Sequence, residues 1–159
     1  MRKQKGFSLI ELLIVIAIIL IIAAIAVPNL LRSKMAANEA SAVGTVRSIN
    51  NAEVLYSNTY PATGYAAAIA NLGGASPCTP SLATGCIIDP NVAAGQSKSG
   101  YLFNANNDGS GPPAVGFTTH GTAVTFGTTG SRNFFSDQSF VIRYNLVAGA
   151  AAVTDSALQ

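Results

Sequence analysis

Charge is scarce in this chain, because only 10% of its 159 residues are Asp, Glu, Lys or Arg, against roughly 25% in an average soluble protein. With 49% of the residues apolar, the composition does not suit a charge-swollen disordered tail. Lys and Arg number 9 and Asp and Glu 7, a formal net charge of +2. Arg2, Lys3 and Lys5 account for three of the nine cations, and beyond Pro28 the balance is 6 against 6. The bulk of the chain therefore offers no basic surface from which phosphates release counterions, and nucleic acid is not an expected partner.

Catalytic material is equally thin. His120 is the only histidine, and its place before Gly121 suggests a solvated turn. No Gly-x-Ser-x-Gly elbow or paired-carboxylate segment is present, and Gly127-Thr128-Thr129-Gly130-Ser131-Arg132 lacks the lysine of a phosphate loop. Cys78 and Cys86 are the only thiols and form no Cys-x-x-Cys motif, which disfavours zinc and redox chemistry. Asn104, Asn106 and Asp108-Gly109 copy the opening of a calcium loop, but its bidentate glutamate would fall at Val115, so a hairpin turn is expected there. No cofactor and no metal site is expected. A membrane-anchored periplasmic enzyme stays as a distant alternative, to be tested by hydrolytic or transfer activity.

What the chain has in quantity is one apolar run. From Phe7 to Val27 there are 21 residues, of which only Ser8 and Glu11 are polar, long enough for a helix to span a bilayer. Three cations precede the run and none lies inside it, which leaves the N-terminus in the cytoplasm and exports everything beyond Pro28. A signal peptide cut after Ala24-Ile25-Ala26, or an uncut anchor, would share these features. Glu11 argues against both, since a carboxylate inside a membrane segment costs about 2.5–3.5 kcal/mol on insertion scales and less near the interface. Such a residue calls for a partner.

Lys5-Gly6-Phe7-Ser8-Leu9-Ile10-Glu11-Leu12, followed by the apolar stretch, resembles the processing site of type IV pilins and type II secretion pseudopilins. The resemblance implies a prepilin peptidase that cuts after Gly6 and methylates the new amine of Phe7. It further implies that Glu11 pairs with that amine on a neighbouring subunit during assembly. A cut on the cytoplasmic side keeps the hydrophobic helix on the mature protein, and a bundle of identical helices at a filament axis would bury it. The partners implied are the chain itself as a helical homopolymer, the peptidase, the membrane before assembly, and an inner-membrane assembly platform with its ATPase. The chain would reside in the inner membrane first and in an extracellular filament afterwards. A type II secretion pseudopilin is the alternative. Major pseudopilins hold calcium through clustered acidic ligands, whereas Asp89, Asp108 and Asp137 are scattered here.

The expected fold is α+β. Residues 1–6 form the leader and 7–28 the hydrophobic half of a helix, with Pro28 expected to kink or open it by removing one hydrogen bond and crowding the Ala24 carbonyl. Residues 29–60 continue that helix as an amphipathic half, with Leu31, Met35, Ala42, Val46, Ile49 and Tyr56 on its apolar side and Arg32, Lys34, Glu39, Arg47 and Glu53 interspersed. The whole helix would be about fifty residues long, its first half protruding and its second packed on a head. Residues 61–97 are a variable region rich in Ala, Gly, Pro, Ser and Thr, with short helical turns near Tyr65 to Leu72. Its Cys78 and Cys86 bound a short loop that a disulfide can close, and export would oxidise them.

Residues 98–159 read as an antiparallel sheet and tail, with strands at Tyr101-Phe103, Val115-Thr118, Ala123-Phe126 and Phe140-Tyr144. Asn107-Asp108-Gly109 and Gly127-Thr128-Thr129-Gly130 supply turns between them. One sheet face should cover the apolar side of the helix. Lys98-Ser99-Gly100-Tyr101 and Arg132-Asn133-Phe134-Phe135-Ser136-Asp137 resemble segments of bacterial pilin-like proteins with short heads, a likeness that would place a glycine where Phe140 stands.

Overall fold

The structure, a computed structural model, describes residues 7–158. The leader 1–6, including Gly6, lies outside the described residues. The chain divides into two compact units at Lys34, and each is taken in turn.

The first unit holds the start of α1 (Leu9–Thr59), a helix of 51 residues that continues without a break through Pro28. Leu, Ile, Val and Ala side chains fill this segment on all sides, and almost all of it lies exposed, from Leu9 to Leu31. A helix apolar all round has no polar face to offer water.

The second unit opens with the rest of α1. Its inward stripe is Ala42, Val46, Ile49, Ala52 and Tyr56, spaced by three or four residues so that they share one face. The stripe joins Tyr101, Phe103, Ala105 and Phe134 of the sheet in a single core. Leu31 is exposed and Met35 half-buried, so the packed face begins later than the apolar spacing suggests. Glu39 and Glu53, read from the sequence only as charges interspersed along the amphipathic half, are both buried.

The five-stranded antiparallel sheet has the order β1-β2-β3-β4-β5. Its strands are β1 (Tyr101–Asn107), β2 (Phe117–Ala123), β3 (Asn133–Asp137), β4 (Arg143–Asn145) and β5 (Ser156–Ala157). In β1 the residues Tyr101, Phe103 and Ala105 alternate inward against exposed Leu102, Asn104 and Asn106, as a sheet with one covered face requires. The head is thus an α+β unit, a helix laid on an antiparallel sheet.

Several local expectations change. Ala123–Phe126 is no separate strand: β2 ends at Ala123, and Thr125 enters a turn in which its N–H donates to Thr129 Oγ1 at 3.1 Å. His120 is not a turn residue either. It sits half-buried in β2, opposite Asn104 on one side and Phe135 on the other. Asn104 and Asn106 are strand residues, and the turn after them is built by Asp108, whose carboxylate accepts from the Ser110 N–H at 3.1 Å and hydroxyl at 2.7 Å. Phe140, where a glycine was expected, has a φ of 63°, the left-handed conformation that glycine adopts freely.

Between helix and sheet run a 3-10 turn (Ile69–Leu72) and a short α2 (Pro90–Ala93). Cys78 and Cys86 are disulfide-bonded with their Cα atoms 5.9 Å apart, an ordinary spacing for the bond. The loop is held down by main-chain bonds from the Cys86 N–H to Gly73 O (3.1 Å) and the Ile87 N–H to Leu72 O (2.8 Å). Tyr56 of α1 donates its buried hydroxyl to Leu82 O at 2.6 Å. A Cβ at Gly74 would run into Cys78 Sγ, which reserves that position for glycine. Replacing both cysteines by serine is expected to cost about 2–3 kcal/mol by the loop-entropy model. Thermal unfolding of the full chain in detergent reads this out, and an unchanged midpoint would show that the loop is held by its other bonds alone.

Candidate functional site

Two sets of residues stand out, one in each unit. The first is the apolar segment of α1. Large apolar side chains here are exposed throughout, among them Ile10 (62%), Leu20 (66%), Ile25 (66%) and Leu30 (68%). Transfer of such side chains out of water is worth about 1.5–3 kcal/mol each at full burial. A soluble monomer does not leave a surface of this size uncovered. The segment is long and apolar enough to cross a membrane, with a mean hydropathy of 3.3 over its best window.

At the start of that segment, the Ser8 N–H donates to Glu11 Oε2 at 2.9 Å. Leu9 opens the helix, so Ser8 is its N-cap and Glu11 its third residue. The bond is one half of a capping box, in which the carboxylate satisfies an amide that the helix leaves without a partner. Negative charge also suits the positive end of the helix dipole. The signal was present in the sequence as Ser-x-x-Glu ahead of an apolar run, and it was missed there. Phe7 and Glu11 are both exposed, so the two residues singled out for processing and assembly lie open at the helix start.

The second set anchors the head. Glu39 is 4% exposed, yet its carboxylate is fully engaged. Oε1 accepts from the Ser131 N–H and hydroxyl, each at 2.8 Å, and Oε2 from Arg132 Nε at 2.8 Å. A second guanidinium nitrogen of Arg132 lies 2.7 Å from the same Oε2, so both arginine donors converge on one oxygen by charge-assisted bonds while Ser131 holds the other. Burial by itself would raise the pKa of Glu39, but the bonds from Ser131 and Arg132 outweigh it and hold the carboxyl below its ordinary range. One residue earlier, Asn38 Nδ2 donates to Thr129 O at 2.9 Å.

The loop so gripped is shaped by its neighbours. Tyr101 donates its hydroxyl to Arg132 O at 2.7 Å, and a Cβ at Gly130 would collide with that hydroxyl. Burial, helped by the Glu39 charge, pushes the Tyr101 hydroxyl up to about 12, so it remains a donor at any physiological pH. Asn133, buried at the start of β3, accepts from the Ala123 N–H at 2.9 Å and donates to Val147 O (2.9 Å) and Gly149 O (2.6 Å). It thereby ties the end of β2 to the stretch after β4. None of Glu39, Ser131, Arg132 or Asn133 had been assigned a role from the sequence. Their partners are remote along the chain, and spacing alone carries no trace of them.

The comparisons with known proteins fall on the same features. Residues 1–27 match the family described as the prokaryotic N-terminal methylation motif. The type IV wide pilus major component of Thermus thermophilus is 38% identical over 116 residues, covering 68% of this chain and 86% of that protein. Type II secretion system core protein G of Aeromonas hydrophila is 40% identical over 65 residues, and that of Vibrio cholerae 41% over 66. These matches cover 39% and 40% of this chain and 46% and 45% of the secretion proteins, so the chain spans less than half the length of those relatives. No solved structure matches. A long helix with a bare apolar half and a helix-covered antiparallel sheet, together with these relatives, define the class, and the chain belongs to the type IV pilin family.

Proposed function

We propose that this chain is a structural subunit of a type IV pilus, cut after Gly6, methylated at Phe7 and polymerised through residues 7–28 into an extracellular filament. The observation that carries the reading is the exposed apolar half of α1. Such a surface needs lipid before assembly and other copies of itself afterwards. The fifteen large apolar side chains exposed from Phe7 to Val27, at about 1.5–3 kcal/mol each when buried, supply ample driving force without covalent links. A prepilin peptidase, a membrane platform and an assembly ATPase complete the proposed partners, and the subunit itself performs no catalysis.

Pseudopilin relatives keep a second reading in play, in which the filament stays within the envelope and drives protein export. The coverage favours the pilus, since the chain spans 86% of the pilus component and less than half of the secretion proteins. Intact mass and N-terminal sequencing of material sheared from the surface of the native host test both. A chain beginning at methylated Phe7 in filaments is the expected result. The same chain confined to the envelope would favour the pseudopilin, and a start at Val27 would overturn the assembly reading.

A further inference from the structure

Glu53 is a buried acid that the assembly reading does not use. It lies on α1 with 0% of its surface exposed, and its Oε2 accepts the Ala66 N–H at 2.8 Å. Oε1 is buried without a hydrogen-bond partner. Across this bond runs the segment that follows the helix. Its main chain is bonded in turn to the β1–β2 connection, from the Tyr65 N–H to Ala114 O at 3.3 Å and from the Ala114 N–H to Thr63 O at 2.9 Å. One carboxyl thus fastens two loops to the helix.

We propose that Glu53 is a proton-operated latch: as a neutral acid it holds the 60–66 segment against α1, and its ionisation loosens that segment together with the Ala114 connection bonded to it.

The surroundings decide the direction. A buried carboxylate needs a cation or several donors to offset its lost hydration. Glu53 has one donor, the Ala66 N–H. The two ion pairs among the described residues, Glu39 with Arg132 and Asp89 with Lys98, do not include it. On its own helix the neighbours one turn away are Tyr56, a phenol whose hydroxyl is held by Leu82 O, and Asn50, whose amide donates to Ser136 Oγ of β3 at 2.7 Å. On the sheet side, Ser136 and its register partner Thr119 of β2 are both neutral and buried.

Asn50 Oδ1 and Thr119 Oγ1 are themselves buried without partners. The helix–sheet seam is therefore rich in acceptors and poor in positive charge, which favours a carboxyl that keeps its proton. Burial raises the pKa of Glu53 from 4.5 to about 7, with the Ala66 N–H as the one opposing influence. The sign follows directly. A folded-state pKa above the unfolded one gives stability that is complete below 4.5 and is lost as pH rises through about 7.

The test is amide hydrogen exchange of the full chain in detergent, with rates corrected for intrinsic chemistry, from about pH 5 to about pH 9. Protection of Tyr65, Ala66 and Ala114 should fall by at least about tenfold across neutrality, while the Tyr101 to Ala105 amides hold theirs. Glu53→Gln, a neutral isostere that still accepts from Ala66, should flatten this dependence. Protection in the unaltered chain that does not change with pH overturns the proposal, as does a pH dependence that survives in Glu53→Gln. Should the variant fail to fold, carbon-13 titration of the Glu53 carboxyl in the unaltered chain decides. A midpoint near neutrality supports the latch, and one near 4.5 rejects it.

Discussion

Arg132→Ala is expected to destabilise the head by about 3 kcal/mol, near the low end for breaking a buried ion pair because Arg132 itself is partly exposed. The loss comes from what stays behind. Glu39 remains buried on the helix with only Ser131 to hold its charge. The guanidinium also sits 5.5 Å from the centre of the Tyr144 ring, so its removal strips packing from β4 as well. Denaturant unfolding of the full chain in detergent measures the effect. Adding Glu39→Gln to Arg132→Ala should recover part of it, since the uncompensated charge is then gone; a double variant no better than the single would place the loss in the Tyr144 contact instead. For contrast, Lys98→Ala, which removes an exposed pair at 3.6 Å, should stay within about 0.5 kcal/mol.

The Glu39 clamp also has a pH signature. Its folded-state pKa is depressed from 4.5, so its contribution is present above that value and fades as pH falls through the lower folded one. Arg132→Ala should accordingly flatten the acid limb of the stability profile.

Glu11→Ala is expected to insert in the membrane normally and to abolish filament yield. Two physical roles compete for this carboxylate. Within the chain it caps the Ser8 amide, a contribution of about 1 kcal/mol or less to a helix that a bilayer already stabilises. Between chains, the resemblance to pilins implies that it neutralises the amine of Phe7 on a neighbour, and we propose that role here. Glu11→Gln separates the two, because glutamine serves equally well as the third residue of a capping box but carries no charge. Filament loss with both substitutions assigns the effect to charge. Filaments restored by glutamine would reduce Glu11 to a cap, and a normal yield from Glu11→Ala would sink the pairing altogether. Electron microscopy of sheared material, with immunoblotting of the membrane fraction as the insertion control, gives the readout.

The helix was the legible part of this fold. Its length, its two-part character and its end at Thr59 follow from a continuous apolar run merging into an amphipathic repeat, both strong local patterns. The turns at Asn107-Asp108-Gly109 and Gly127 to Gly130 were legible for the same reason. What was lost depended on distance along the chain. Asn133, Phe134, Phe135 and Ser136 of β3 are buried in succession, so the alternation that betrays a strand is missing. Conversely, Val124, Thr125 and Phe126 alternate well, but Asn133 takes the Ala123 amide and Thr129 turns the chain away. Glu39 and Glu53 read only as charges interspersed along a helix, because nothing local distinguishes a glutamate that will meet Arg132 or Ala66 from one that meets water. Of the site itself, the apolar run and Glu11 were plain in the sequence, and the clamp that secures the head was not.

The sheet closes on β5, a strand of two residues paired to β4. Exposed strand edges template the addition of further strands, and long ones invite runaway cross-β growth. A stub this short gives an incoming chain almost no ladder to lengthen. At the opposite margin, the Lys98 and Tyr101 amides and carbonyls bond each other as β1 begins. For a protein proposed to accumulate at high local density with its helices side by side, this matters more than the stability of either edge. On the β5 margin the head carries its own brake against strand addition.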